Sequence, residues 1–195
     1  MRLICFDLES GGGSLDFSVL TGNFKIFSHD SDLNFKIEDS LSLVIKHDIY
    51  KVHPEGMKVN QLDLNWVDAN GVSTSKAGEL LINFLRKNDA MKNKLHPMGH
   101  GIRGDIDQIN SQILNKNNWG NFVLHNYIDT GVLALALVGN GILPEDQGLS
   151  LEALCNYFNL SGFKYHTAEG DCDANIALYL ELQKLIKKNG GIKTP

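Results

Sequence analysis

Cysteine is scarce in this chain. Cys5, Cys155 and Cys172 stand far apart, are odd in number and form no Cys-x-x-Cys pair. That argues against a disulfide framework and against a cysteine zinc site, and leaves three small core residues as the plain reading. Long apolar runs are missing too. Nothing approaches the roughly 20 apolar residues of a membrane span, so no membrane partner is expected. The short apolar start, Met1 to Phe6, lacks the longer apolar region and small-residue cleavage site of a signal peptide, and the expected location is cytoplasmic. Positive charge is in deficit: 18 Lys and Arg against 23 Asp and Glu give a net charge of −5. This speaks against a broad basic face for duplex nucleic acid. It leaves room for a nucleic-acid enzyme, because bound divalent cations supply positive charge locally. Only four prolines occur, and no repeat, low-complexity tract or proline-rich linker divides the chain. The 195 residues suit one domain, 1–195, with its own core.

Hydrophobic patterning places the elements. Arg2 to Phe6 reads as a buried strand, Phe17 to Phe27 as a second and Leu41 to Ile45 as a third, with Gly11-Gly12-Gly13 as a flexible connection. Ser73 to Lys87 carries helical spacing, as does Asp105 to Leu114, where Ile106, Ile109 and Ile113 share a face. Leu95 to Met98 and Phe122 to Leu124 read as short strands. Asp129 or Thr130 can cap a helix through Val138, and Ser150 a helix from Leu151 to Phe158. A last helix is expected from about Glu169 to Lys188. The segment 48–71 shows no regular pattern; it reads equally as a substrate-facing loop or a surface connection. Three strands followed by alternating helices and strands predict a mixed α/β layer structure around one sheet.

Three constellations can carry chemistry. In Phe6-Asp7-Leu8-Glu9, residues two apart on a strand share a face, so Asp7 and Glu9 project together. They are either two solvated charges at a strand end or a pair that repels unless a cation lies between them; magnesium and manganese favour such oxygen ligands. In His166-Thr167-Ala168-Glu169-Gly170-Asp171, His and Asp converge only if His166 lies in the loop before the helix. Asp171 then leans to the core side and wants a partner or a metal; the plainer reading is an acid favoured by the helix dipole. Gly99-His100-Gly101-Ile102-Arg103-Gly104 is a literal GxGxxG, opening the helix that bears Asp105. A dinucleotide-binding oxidoreductase would need that motif in the first βα unit, whereas here it stands halfway along the chain.

Taken in order, these segments resemble the DEDDh family of 3′–5′ exonucleases, which includes polymerase proofreading subunits, oligoribonuclease and RNase T. Phe6-Asp7-Leu8-Glu9 resembles the first motif, Gly99-His100 through Asp105 the second, and His166-x-Ala168-x-x-Asp171 the third. Tyr127-Ile128-Asp129-Thr130 and Ser150-Leu151-Glu152-Ala153-Leu154 match the wording between them. The second motif departs from the family in having Gly101 and Gly104 where an Asn and an aromatic are usual. Ser10 and three glycines replace the Thr and Gly-Leu pair after the first motif.

The resemblance implies an α/β, RNase H-like mixed five-stranded sheet flanked by helices. It also implies two divalent metal ions, Mg2+ or Mn2+, held by Asp7, Glu9, Asp105 and Asp171, and His166 as general base. An imidazole titrates near neutral pH, which suits a proton acceptor. The reaction would release nucleoside 5′-monophosphates from the 3′ end of single-stranded DNA or RNA. Ser10, Gly11, Leu62 and His100 are the candidate substrate contacts. A non-catalytic nucleic-acid-binding module on the same scaffold is the alternative that the altered second motif motivates. Oligomeric state stays open, a homodimer among the options, because some members of that family pair.

Overall fold

In the computed structural model, residues 1–190 are described; the last five residues of the expected 1–195 domain lie outside them. The chain opens with a three-stranded antiparallel meander: β1 (Arg2–Ser10), β2 (Val19–His29) and β3 (Phe35–Lys46). Two short helices follow, α1 (Pro54–Asn60) and α2 (Leu64–Asn70), then the two-residue β4 (Val72–Ser73) and α3 (Thr74–Lys87). β5 (His96–Gly99) leads through α4 (Arg103–Gln108), a π-helical turn (Ile109–Ile113) and α5 (Lys116–Gly120) to β6 (Ile128–Asp129). Three helices finish the described chain: α6 (Thr130–Gly139), α7 (Leu151–Tyr157) and α8 (Ala168–Lys188). The sheet is mixed, in the order β4-β3-β2-β1-β5-β6, with β5 and β6 parallel to β1. It has six strands rather than five; the extra one is the two-residue edge strand β4.

β1 is central, and its sequence is apolar on both faces for that reason. Ile4, Phe6 and Leu8 pack with Phe24, Leu81, Leu85, Ile102, Ile109 and Trp119, beneath α3 to α5. Leu3 and Cys5 turn the other way, against Cys172, Ile176 and Tyr179 of α8. A third cluster joins α6, α7 and α8. All three cysteines are buried and unpaired, as their scarcity implied. No helix among the described residues is long and apolar enough to cross a membrane.

The structure differs from the sequence reading in several places. In element bounds, β1 runs on to Ser10, and β2 spans Val19–His29 in place of 17–27. The segment 48–71 holds α1 and α2, capped when His53 Nδ1 accepts from the Glu55 amide and Asp63 Oδ1 from that of Asn65. Helices of two turns are too short to show a hydrophobic period. β3 begins at Phe35, not Leu41, because pairing with β2 carries its exposed first half. The stretch 122–124 makes a single bridge, Val123 to Leu95, and the strand proper is β6. The helix expected over 105–114 starts at Arg103 and widens into the π-helical turn after Gln108.

Candidate active site

The site forms where the C-terminal half of β1 meets the N-terminus of α8. Asp7 and Glu9 leave β1 on the face that α8 covers. α8 starts at Ala168 because Thr167 Oγ1 accepts from the Gly170 amide at 3.2 Å. Glycine is required at 170: a Cβ there would lie 2.1 Å from the Lys164 carbonyl oxygen. This close approach folds the preceding loop back over the helix start. His166 takes a left-handed backbone, φ 59°, which is costly for a side chain other than glycine. Its amide donates to Asp171 Oδ2 at 3.1 Å. The metal-ligand candidate Asp171 therefore also fixes the exposed His166.

Ligand oxygens of Asp7, Glu9 and Asp171 all lie within 4.8 Å of one another. Asp105 enters from α4, its Oδ1 accepting from the Leu8 amide at 3.2 Å. It stands apart from that tight trio, yet near enough for its charge to bear on both Asp7 and Glu9. Each carboxylate keeps some area at the site's mouth but is densely surrounded, so burial is the leading influence on all four. It pushes Asp7 well above the usual carboxylate range, with Asp105, Cys172, Glu9 and Asp171 adding to the effect. Glu9 is raised to about 7 by burial, then by the charges of Asp171 and Asp105. Asp105 is raised to about 7 by burial, against the opposing pull of the Leu8 amide. Asp171 is raised by burial and eased by the His166 amide. Buried acids whose neighbours' charges hold Asp7 and Glu9 back from ionisation suit a hard divalent cation, whose charge opposes that repulsion.

A cleft of about 240 Å³ opens beside the trio, with Glu9, Asn23, Leu62, Trp66, His166 and Thr167 among its lining. Of the four expected substrate contacts, Leu62 is the one that lines it. Ser10 sends its hydroxyl to the Gly12 carbonyl at 2.6 Å, and its own carbonyl accepts from Asn60 Nδ2, tying α1 to β1. The Gly11 amide donates to the Ser18 carbonyl; a Cβ at Gly11 would lie 2.6 Å from Lys51 O, so close backbone packing explains this glycine. His100 follows β5 directly and packs against the start of α6, with Nδ1 2.9 Å from Thr130 Oγ1, and burial pushes its imidazole down. Asn23 escaped the sequence reading, and Trp66 entered it only as part of the 48–71 segment that could face substrate. Trp66 stood in the unpatterned segment, and Asn23 faces the site only through the β1–β2 register.

No family model matches the chain, and no curated protein matches it by sequence. Solved structures do. E. coli exonuclease I in complex with a dT13 oligonucleotide gives a TM-score of 0.69 at 16% identity, over 96% of this chain and 42% of that chain. The E. coli exonuclease I–ssDNA complex in its zinc ion bound form gives 0.65 at 16%, over 97% and 41%. The ExoI/SSB-Ct complex gives 0.67 at 18%, over 97% and 41%. The chain thus spans about two fifths of the length of these structures. At such identity the likeness establishes the fold, an RNase H-like mixed α/β sheet flanked by helices.

Proposed function

We propose that residues 1–195 form a single nuclease domain that trims single-stranded nucleic acid from its 3′ end. The observation that carries this reading is the trio Asp7, Glu9 and Asp171, with ligand oxygens within 4.8 Å, beside a cleft that His166 also lines. The single-stranded oligonucleotides in the exonuclease I complexes support the same choice of substrate. Asp7, Glu9 and Asp171 would hold one divalent cation, and Asp7 with Asp105 a second; Mg2+ and Mn2+ fit an all-carboxylate donor set. Bound cations would supply Lewis-acid activation of water and neutralise the phosphodiester. His166 would take the proton from the attacking water, its backbone held by Asp171. Leu62 and Trp66 would seat the terminal base, since stacking on an aromatic ring tolerates any base.

A dinucleotide-binding oxidoreductase fits poorly. β1 has an antiparallel neighbour, and Asp129, the acid such a fingerprint would use, accepts from the amides of Gly101, Gly131 and Val132. A purely binding module leaves the costly proximity of four carboxylates without a purpose. The test uses 5′-labelled single-stranded DNA and RNA, incubated with Mn2+, Mg2+ or chelator. A metal-dependent ladder of 3′-shortened products is expected on at least one strand type. Cleavage at internal sites, or no cleavage at all, contradicts the proposal.

A further inference from the structure

Asn23 on β2 stands directly across from Asp7 on β1, and Ser42 on β3 directly across from Asn23. Opposed residues project from the same sheet face. A polar row therefore crosses three strands, starting at the carboxylates. Asn23 is only 2% exposed. Its Nδ2 donates to Ser42 Oγ at 2.9 Å, whereas its buried Oδ1 has no partner. Burying a carbonyl oxygen unpaired destabilises a fold, and an aliphatic side chain at position 23 would avoid the penalty. On the same face of β2 the neighbours are Thr21 and Lys25, and Lys25 is paired with Asp173, whereas Asn23 Oδ1 is left buried and without a partner.

A small hard dication keeps several of its waters when bound. Those waters bring O–H donors to the carboxylate site, and donors need acceptors. We propose that Asn23 is a positioning residue of the cation site: its Oδ1 accepts a hydrogen bond from a cation-borne water, while Ser42 anchors its Nδ2. The inference rests on the cation site proposed above. Partners of this kind orient metal-bound groups without touching the metal.

Asn23→Leu separates this role from a merely structural one. Melting of the full chain is followed in chelator, and Mn2+ is titrated into a separate chelator-free sample of folded protein, free Mn2+ being followed by electron paramagnetic resonance. The expected variant melts at or above the wild-type temperature in chelator, because an unpaired buried acceptor has gone. It binds Mn2+ about 10-fold or more weakly, the usual size of such an effect. Should the leucine variant fail to fold, Asn23→Ala carries the same expected loss of affinity. Ser42→Ala, which frees the amide, is expected to give a smaller loss. Equal Mn2+ affinity in wild type and the Asn23 variants overturns the assignment of Asn23 and leaves the cation site standing. Wild-type protein that binds no Mn2+ overturns the cation site itself.

Discussion

The two faces of β1 respond to burial in opposite ways. Ile4, Phe6 and Leu8 point under α3 to α5, where Phe6 stacks on Phe24 at 5.7 Å and meets Trp119 edge-on at 5.4 Å. Removing those side chains from water stabilises the fold. Asp7 and Glu9, one residue out of phase, point toward α8, where burial drives both away from ionisation. The apolar face holds β1 rigid, so the carboxylates cannot relax apart. Rigidity on one side is what allows repulsion to persist on the other, and on the proposed function a divalent cation would turn that repulsion into affinity.

Substitutions break the comparison one face at a time. The largest effect is expected from Asp7→Asn. Loss of a shared metal ligand should lower 3′ trimming about a thousandfold, a few kcal/mol in the barrier. In chelator the same variant should melt no lower than wild type, since a repelling charge is gone. Phe6→Ala should do the reverse, costing about 3–5 kcal/mol in urea unfolding and lowering activity chiefly through loss of folded protein. His166→Ala should slow trimming about a hundredfold, in the range for a lost general base, with Mn2+ affinity preserved; near-wild-type rates would remove His166 from that role. Trp66→Ala is expected to be mildest, raising KM about tenfold by loss of one stacking contact with kcat little changed.

Much of this was legible in the sequence. Period-two spacing put Asp7 and Glu9 on one face, Ser150 and the alternatives Asp129 or Thr130 marked helix caps, of which Asp129 is the cap found, and the condition that His166 precede the last helix in order to meet Asp171 is the one the structure meets. Local signals suffice for these because each depends on neighbours within a few residues. Asn23 was not legible: its importance lies in the register that sets it across from Asp7, 16 positions earlier in the chain. Trp66 was hidden for another reason. α2 is held by the Asp63 cap and by contact with β3 rather than by an apolar stripe of its own. Ser10 and Gly11 show the converse. Next to the acidic pair in sequence, they serve the loop's internal hydrogen bonds and close packing.

The most direct test of the acidic face is the melting temperature as a function of pH, with and without Mg2+. Glu9 rises from its usual 4.5 to about 7 on folding, Asp105 from 3.8 to about 7, and burial pushes Asp7 well above the usual carboxylate range too. The native state therefore binds more protons than the unfolded chain between these limits, and stability must fall as pH rises through the interval. In chelator the account predicts a melting temperature that declines from about pH 4.5 to about 7. At pH 7.5, Mg2+ or Mn2+ should restore it, and Asp7→Asn should abolish that restoration. A melting temperature that climbs across the same interval in chelator, or that no divalent cation raises at pH 7.5, would contradict the account.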